Sequence, residues 1–374
     1  MSASISCSDA LAAIRRGERL PVEVVRFLGE QQPADFFRVI VESLSDSFDP
    51  AQVAAYEELM RVWIPPAPPV KPVLPPQVDT VYVLSRVTLG SDIKITSVIL
   101  DAMKRRFPDA NIVFVSGRKS IDLFESDARI WHLEADYPRS GPVSRRIEFA
   151  HELRRRLEAP NRIVIDPDSR MTQLGLIPVC EPEHYFHFPS RVETGADNLS
   201  DLTELWLENT FSNTGQGYIA PRKIEPAGES PRAAISFGVG ENESKRIPGD
   251  FESQAIRTLG ERFRTLWIDR GVGGEEARRV TAAVAASGCA DRVRFWEGSF
   301  AGFASIISQC DLYLGYDSAG QHAAAALGIP LITIFKGAPS NRFRYRWSPS
   351  GLGEIEIIDA DALSPDEILA ILSS

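Results

Sequence analysis

The chain has 374 residues, of which 44% are hydrophobic and 25% are charged, and its formal net charge is −10. This length predicts two domains with room for an added module, and it is enough to bury a sizeable core. The acidic balance argues against a nucleic-acid-binding protein, because no dominant basic face is present. Two basic clusters, 104–106 and 154–156, lie in helical patterns and are interpreted as solvated helix faces.

The sequence shows no targeting or redox signal. The four cysteines have neither a metal-like spacing nor a secreted disulfide pattern. The apolar stretch 10–20 is not a signal peptide, because Arg15, Arg16 and Glu18 interrupt it. No stretch approaches the roughly 20 apolar residues that span a bilayer. We therefore expect a soluble cytoplasmic protein.

Residues 1–64 show helical periodicity and no strand signal. The clearest helices are predicted at 21–29, 34–44 and 52–63. A proline-rich tract at 65–77 then predicts a semi-rigid linker. The sequence thus begins with a small helical module, tethered or docked, in which we identify no chemistry.

Strands and helices alternate from Thr80 onwards. A first set predicts a domain at 78–215, with strands at 81–84, 111–115, 130–133 and 162–165. A second set predicts a domain at 230–350, with strands at 233–237, 265–268, 293–296, 312–316 and 331–335. Such alternation is typical of doubly wound parallel sheets, which bind ligands in crevices at their carboxyl ends. Residues 351–374 are expected to pack back on this fold.

The stretch 311–336 reads as strand, turn, helix and strand. The turn contains Asp317, Ser318 and Gly320, and an alanine-rich helix follows it. An alanine helix can approach a sheet closely, and its free N-terminal N–H groups suit a phosphate or a ribose edge. The alternative is that Asp317 or Ser318 only caps the helix.

A second glycine-containing loop follows the strand at 233–237. Gly238 and Gly240 would let backbone amides approach a phosphate, and Lys245 could neutralise it. Glu275 or Glu276, after the next strand, could accept ribose hydroxyls. Turn glycines and ordinary helix N-terminal glutamates are the structural alternatives.

The first domain contains one candidate acidic residue and one acidic pair. Asp92 follows the leading strand and is either a helix N-cap or a general base, which suits a sugar transition state with oxocarbenium character. Asp166 and Asp168 form an Asp-x-Asp pair, which we interpret as turn residues without a metal. The scattered histidines are interpreted as structural: His132, His151, His184 and His187.

Three segments resemble glycosyltransferase family 9, the ADP-heptose–lipopolysaccharide heptosyltransferases, which have the GT-B fold. The first is Arg86-Val-Thr-Leu-Gly-Ser-Asp92, continuing to Lys104-Arg-Arg-Phe-Pro-Asp-Ala110. The second is Ser244-Lys-Arg-Ile-Pro248 with Phe251, and the third spans 311–335, preceded by Gly298-Ser-Phe300. The resemblance covers roughly 78–350 and leaves the helical module outside it.

The resemblance implies an inverting, metal-independent transfer from a nucleoside-diphosphate sugar, with no cofactor. Asp92 would be the catalytic base and Lys245 would hold the donor phosphates. The other donor-side candidates are Asp317, Ser318, Gly320, His322, Gly238, Gly240, Glu275, Glu276 and Ser299. The acceptor-side candidates in the first domain are Arg86, Asp168 and Arg170. The family's glycines are displaced by one place here, to Gly90 and Gly320.

We therefore expect an α/β protein of GT-B fold, with two facing Rossmann-like domains of parallel sheet and an N-terminal all-helical module. The expected activity is hexosyl or heptosyl transfer to a hydroxyl or other nucleophile of a glycan, lipid-linked, small-molecule or peptide acceptor. A nucleotide-sugar epimerase or hydrolase, or a catalytically degenerate scaffold, stays open as an alternative. Peripheral membrane contact and a protein partner at the helical module also stay open, whereas no nucleic-acid partner and no metal are expected.

Overall fold

The computed structural model describes residues 5–240, 242–271 and 273–373, so the outer ends of the predicted module (1–4) and tail (Ser374) lie outside the described residues. The chain divides into two compact units. The first unit is drawn from Met1–Val87, Ala102–Arg118 and Arg129–Gly215. The second is drawn from Thr88–Asp101, Lys119–Ala128 and Gln216–Ser374. The segment that carries Asp92 therefore packs with the C-terminal half of the chain.

The N-terminal residues form a helical module within the first unit. Its helices are Cys7–Arg15, Val22–Gln31, Pro33–Asp35, Phe36–Val41 in π geometry, Glu42–Ser45 and Pro50–Met60. The last of them begins after Asp49, whose carboxylate accepts bonds from free N–H groups of the first turn. Phe36 and Tyr56 are completely buried in one hydrophobic cluster with Val164 of the first sheet. The module is therefore docked on this sheet and is not a tethered appendage.

The first unit contains a five-stranded parallel sheet. Its strands are β1 (Thr80–Leu84), β2 (Asn111–Ser116), β3 (Ile130–Glu134), β4 (Arg162–Asp166) and β5 (Tyr185–His187), in the order β3-β2-β1-β4-β5. Its further helices are Val143–Arg156 and Leu199–Phe211, with single 3-10 turns at Arg170–Thr172 and Pro182–His184. All five residues of β1 are buried, which explains its continuous apolar run at the centre of the sheet.

The second unit contains a six-stranded parallel sheet. Its strands are β6 (Arg232–Ser236), β7 (Thr265–Asp269), β8 (Val293–Trp296), β9 (Leu312–Tyr316), β10 (Leu331–Phe335) and β11 (Ile355–Asp359), in the order β11-β10-β9-β6-β7-β8. Its main helices are Phe251–Arg262, Gly274–Ser287, Phe300–Ile307, Ala319–Ala326, Asn341–Trp347 and Pro365–Ser373. The last helix contributes Ile368 and Leu372 to the core of this sheet.

Each sheet has one point at which the strand order reverses. In the first sheet this point lies between β1 and β4, and in the second it lies between β6 and β9. Ligands of open α/β sheets bind outside the carboxyl ends of the strands at such points. The loops that leave these strands contain most of the candidate residues, at 85–92 and 167–170 in the N-terminal half and at 237–245 and 317–322 in the C-terminal half.

Two local features differ from the sequence prediction. The helix that would begin after Asp92, if this residue were its N-cap, begins at Leu89 instead. It continues through Leu89–Ser91, a π-helical stretch Asp92–Thr96 and Ser97–Arg106. The sequence does not indicate β5 and β11, because β5 has only three residues and β11 has exposed positions in place of an apolar run. Among the described residues, no helix combines the length and the apolar character needed to cross a membrane.

Candidate functional site

The donor-side candidates centre on an ion pair at the end of β9. Lys245 lies on a short 3-10 turn, Glu243–Lys245, and its Nζ is 2.6 Å from Asp317 Oδ2 and 3.1 Å from the Asp317 carbonyl oxygen. Asp317 is 8% exposed, so its charge is largely removed from water. The structure thus brings together two residues that are 72 positions apart in the sequence.

The helix Ala319–Ala326 follows this pair and packs tightly on its sheet. Ser318 precedes the helix but makes no side-chain capping bond, and the Asp317 carboxylate binds Lys245 and Gln321 instead. A Cβ atom at Gly320 would overlap the hydroxyl of Tyr313, so only glycine fits where the helix crosses β9. Neither Asp317 nor Ser318 therefore acts as the simple cap that the sequence leaves open.

His322 lies on the buried side of the same helix. Burial, reinforced by the charges of Lys94 and Lys245, lowers the pKa of His322 well below its usual value, so its ring is neutral at pH 7. A Cβ atom at Gly90 would lie 3.2 Å from Cδ2 of this ring. The displaced Gly90 therefore permits close approach between the helix that contains Asp92 and the helix that contains His322.

The glycine loop after β6 lies against one of the two candidate glutamates. A Cβ atom at Gly238 would be 2.9 Å from Oε1 of Glu276, and one at Gly271 would be 2.8 Å from its Oε2. Glu275 is exposed, whereas Glu276 is partly buried. Gly240, with a φ of 61°, has open space where a side chain would project. The structure therefore singles out Glu276 as the carboxylate beside the loop.

Ser299 is not brought into this group. Its hydroxyl accepts a bond from the Gly302 N–H at 3.2 Å and caps the helix Phe300–Ile307. It follows β8, which is separated from β6 by β7. The Ser299 hydroxyl thus serves local structure in the described chain, and its predicted donor contact stays a prediction.

Asp92 is completely buried inside a helix, one turn beyond its start. Its Oδ1 accepts a bond from Thr96 Oγ1 at 3.0 Å, and its Oδ2 accepts one from Ser120 Oγ at 2.7 Å. Thr88, in extended conformation, is the residue that precedes the helix. The N-cap alternative for Asp92 is therefore wrong, because the helix begins before it.

The three acceptor-side candidates meet in one buried ionic cluster of the first unit. Asp168 accepts bonds from the Arg191 N–H at 2.9 Å and from Ser190 Oγ at 3.1 Å. Arg86 donates to the same Ser190 hydroxyl at 2.7 Å. Arg170 joins the cluster through a carboxylate that it shares with Arg191. The carboxyl ends of β1 and β4 thus gather Arg86, Asp168 and Arg170.

The helical module contributes this shared carboxylate, which belongs to Asp46. Asp46 Oδ2 is 2.7 Å from Arg170 Nη2, and its Oδ1 is 2.9 Å from Arg191 Nε. Arg191 Nη1 also donates to the Asp168 carbonyl oxygen at 2.8 Å. Arg191 therefore bridges the carboxylate of the module to Asp168 of the sheet.

Charge pairing controls the protonation of the cluster. Burial alone would raise the pKa of Asp168, but Arg191, His187 and Arg86 outweigh it and hold that pKa well below its usual value. Burial lowers the pKa of His187, but Asp168, 3.1 Å from its Nε2, outweighs burial and raises it. Burial and the charge of Arg191 lower the pKa of Arg86 to about 9, so it remains charged at pH 7.

Asp166, the other member of the Asp-x-Asp pair, has a different environment. It accepts a bond from the Ser169 N–H at 2.6 Å and is bound by the hydroxyls of Thr172 and Tyr185. Burial, only partly offset by these bonds, raises its pKa. Asp166 is therefore a turn-stabilising residue, as the sequence indicates.

Several residues around the acceptor-side and donor-side candidates are not among the predicted site residues. They are Asp46, His187, Ser190 and Arg191 in the first unit, and Lys94, Ser120, Gln321 and Thr333 in the second. One sequence signal could have found two of them. The polar sequence Pro189-Ser-Arg191 directly follows an aromatic run and marks the end of a strand once β5 is known. The others lie in ordinary helical or strand patterns.

Comparison with known proteins supports the interpretation of these elements. Residues 273–352 match the model of glycosyltransferase family 9 (heptosyltransferase), a segment that includes Glu276, Asp317 and His322. This match confirms the predicted resemblance to glycosyltransferases of family 9 over this C-terminal segment. No curated protein sequence matches the chain.

Solved structures show the same fold at low sequence identity. Escherichia coli heptosyltransferase WaaC with ADP is 14% identical with a TM-score of 0.59, over 78% of this chain and 98% of that chain. A family 9 glycosyltransferase from Veillonella parvula is 16% identical with a TM-score of 0.58, over 79% and 89%. Escherichia coli ADP-heptose lipopolysaccharide heptosyltransferase II is 15% identical with a TM-score of 0.54, over 78% and 97%. These matches confirm the predicted GT-B-type α/β fold.

Proposed function

We propose that the protein is an inverting, metal-independent glycosyltransferase that moves a sugar from a nucleoside-diphosphate sugar to a nucleophile of an acceptor. The observation that carries this proposal is the ion pair between Lys245 and Asp317 at the end of β9. The neighbouring strand β6 ends in the glycine loop, against which Glu276 lies. The family match over 273–352 supports it. Because one structural relative was solved with ADP, an adenosine diphosphate sugar is the first donor to test.

The second unit would bind the donor diphosphate through a positive charge and through backbone N–H groups that approach it closely. Negative charge grows on the diphosphate as its bond to the sugar breaks, and Lys245 is the cation placed to stabilise it. Gly238 and Gly240 add no side chain to their loop, so its N–H groups could approach phosphate oxygens closely. Glu276, held against this loop, is the carboxylate that would accept ribose hydroxyls.

Transfer is a single displacement in this proposal. The acceptor oxygen attacks the anomeric carbon as the carbon–oxygen bond to the diphosphate breaks, and the acceptor proton passes to the Asp92 carboxylate. Asp92 is fully buried in the free protein, so an acceptor hydroxyl must replace one of its hydroxyl partners. Ser120, which approaches from a separate helix, is the partner that can be replaced without unwinding the helix of Asp92.

The first unit would bind the acceptor through its ionic cluster. Arg86 and Arg170 are the cationic candidates, and Asp168 orders their surroundings through Ser190 and Arg191. Guanidinium groups bind acidic and hydroxyl-rich groups through several fixed N–H donors. The acceptor class stays open among glycan, lipid-linked, small-molecule and peptide nucleophiles.

Binding of ADP, GDP, UDP, CDP and dTDP to the wild-type protein tests the donor site. A ligand that binds only the folded state, present at about 100 times its Kd, adds about 2.7 kcal/mol to the free energy of unfolding, which a thermal melt detects.

Lys245→Met should make the binding free energy of the preferred diphosphate less favourable by about 1.5–3 kcal/mol, the cost of a charge-assisted hydrogen bond. Lys223→Met removes an exposed lysine of the same unit and should leave the affinity unchanged.

Product analysis with the matching nucleotide sugar tests the reaction. A sugar attached to the acceptor with inverted anomeric configuration supports the proposal. Conversion of the donor alone would instead indicate an epimerase or hydrolase. Binding of a diphosphate without any turnover would indicate a degenerate scaffold. If the protein binds none of the five diphosphates, the proposed donor site is wrong.

A further inference from the structure

A chain of hydrogen bonds connects the core of the second sheet to Lys245. Thr333 Oγ1, in β10, donates to Gln321 Oε1 at 2.7 Å, and Gln321 Nε2 donates to Asp317 Oδ1 at 2.6 Å. Asp317 Oδ2 then accepts from Lys245 Nζ at 2.6 Å. Thr333 and Gln321 are completely buried, whereas the Lys245 side chain is 21% exposed. The chain therefore leads from the interior of the sheet to a side chain that a ligand can reach.

Gln321 is an unusual residue for its position. It lies in a helix whose other buried residues include Ala323, Ala324 and Ala325, and its sequence pattern indicates no role. A buried amide costs free energy unless its polar atoms are hydrogen-bonded, a cost that an apolar side chain would avoid. A polar link between Thr333 and Asp317 is what glutamine adds here.

The orientation of the Gln321 amide follows from its partners. A carboxylate only accepts hydrogen bonds, so the side of the amide that faces Asp317 must be the NH2 group. The amide oxygen is then left to accept from the Thr333 hydroxyl. This arrangement divides the Asp317 carboxylate between two donors, with Oδ1 bound to Gln321 and Oδ2 bound to Lys245.

The ammonium group of Lys245 is fixed by Asp317 at two points. It contacts the carboxylate at 2.6 Å and the Asp317 carbonyl oxygen at 3.1 Å. An ammonium has three N–H donors, so these two acceptors within the described chain leave one donor for a ligand. Without the bond from Gln321, the Asp317 carboxylate could rotate, and Lys245 would lose its fixed position.

We propose that Gln321 is a positioning residue for the donor diphosphate, which acts by holding Asp317 and thereby Lys245. The inference rests on the proposed donor role of Lys245 and adds the residue that preorganises it. Preorganisation improves affinity because less conformational freedom is lost on binding. Gln321 itself makes no contact with the diphosphate in this proposal.

Gln321→Met is the first variant to measure, because methionine has a similar size and lacks the amide. Wild type and variant are titrated by calorimetry with ADP, GDP, UDP, CDP and dTDP. The tightest diphosphate should bind the variant on the order of tenfold more weakly, the effect of losing about one buried hydrogen bond. Gln309→Met removes a partly buried glutamine amide elsewhere in the same unit and should bind as wild type.

A double-mutant cycle separates positioning from general loss of structure. In a Lys245→Met background, Gln321→Met should cause no further loss of affinity, because the cation through which Gln321 acts is gone. An equal loss of affinity in both backgrounds would show a purely structural role and overturn the inference.

The Thr333 variants test the other end of the same hydrogen-bond chain. Thr333→Ser keeps the hydroxyl and should bind the diphosphate as wild type does, whereas Thr333→Val lacks the hydroxyl and should bind it more weakly.

The outcomes also distinguish this inference from the proposed function. If wild type binds none of the five diphosphates, both fall together. If wild type binds one of them and Gln321→Met binds it equally well, only the inference is overturned. If Gln321→Met does not fold, Thr333→Val tests the same chain, and an unchanged affinity in that variant would overturn it.

Discussion

The Asp92 carboxylate is fully buried with hydroxyl donors on both of its oxygens. If it receives the acceptor proton, Asp92→Asn should reduce transfer by at least about 100-fold, since general-base catalysis contributes roughly 10²- to 10⁴-fold. The diphosphate affinity should change less than about twofold, because asparagine keeps the shape of the side chain and the rate loss belongs to proton transfer. Initial rates and calorimetric Kd values measure the two effects.

Ser120→Ala is the matched control for this variant. It removes one hydroxyl from the same carboxylate and leaves the proposed base in place. Activity should persist in Ser120→Ala and be lost in Asp92→Asn. Equal turnover in Asp92→Asn and wild type would show that Asp92 only supports the packing of its helix.

His187 makes the stability of the first unit depend on pH. Asp168 raises the pKa of His187 in the folded protein above its unfolded value near 6.5. The charged pair therefore stabilises the fold fully below about pH 6.5, and this contribution is lost as the pH rises through the raised value. Urea unfolding between about pH 6 and pH 9 should show stability falling with pH in wild type relative to His187→Gln. Parallel curves for the two proteins would contradict the pairing.

The helical module is tied to the first sheet by Asp46. This carboxylate binds Arg170 and Arg191, whose side chains are 14% and 5% exposed. Asp46→Asn should lower the free energy of unfolding by about 1–3 kcal/mol, between the values for exposed and buried ion pairs. The Asp46 side chain is itself 41% exposed, which keeps the expected loss below that of a fully buried pair.

Asp35→Asn supplies the comparison within the same module. Asp35 pairs with Arg38 at 2.9 Å, but both side chains are exposed. Asp35→Asn should lower the free energy of unfolding by less than about 0.5 kcal/mol, as for other exposed ion pairs in helices. Equal urea midpoints for the Asp46→Asn and Asp35→Asn variants would show that the ionic cluster does not hold the module.

The alanine-rich composition of the helix Ala319–Ala326 predicts its close packing, but the role proposed for this helix depends on the strands beneath it. Its alanines and Gly320 allow it to lie directly on β9 and β10, as its small residues indicate. That closeness is what brings Gln321 within reach of Thr333. The composition indicates the thin helix, whereas the polar link beneath it depends on the neighbouring strand.

The whole molecule is proposed to work without a divalent metal. Lys245 supplies the positive charge that a metal ion would otherwise place at the diphosphate. Protein dialysed against EDTA should therefore retain its full rate of transfer, measured with the nucleotide sugar that the diphosphate screen selects. A loss of activity that Mg²⁺ or Mn²⁺ restores would contradict metal independence.

Much of the architecture follows from local patterns in the sequence. Continuous apolar runs such as β1 and β9 predict buried parallel strands, since both faces of such strands are covered. Alternation of these runs with helical periodicity predicts the two sheets, and the glycine and aspartate turns that follow them predict the donor side. These signals extend over a few residues, so they can be read without knowing which distant residues meet.

Only the tertiary structure decided which side chains pair. Arg191 and Asp46 lie 145 residues apart, and Ser120 and Asp92 lie 28 apart, so no local pattern relates them. The start of the helix before Asp92 and the short strand β5 also depend on their packing environment. Burial removes water as the alternative hydrogen-bond partner, so each buried charge needs a specific partner that only the folded chain brings to it.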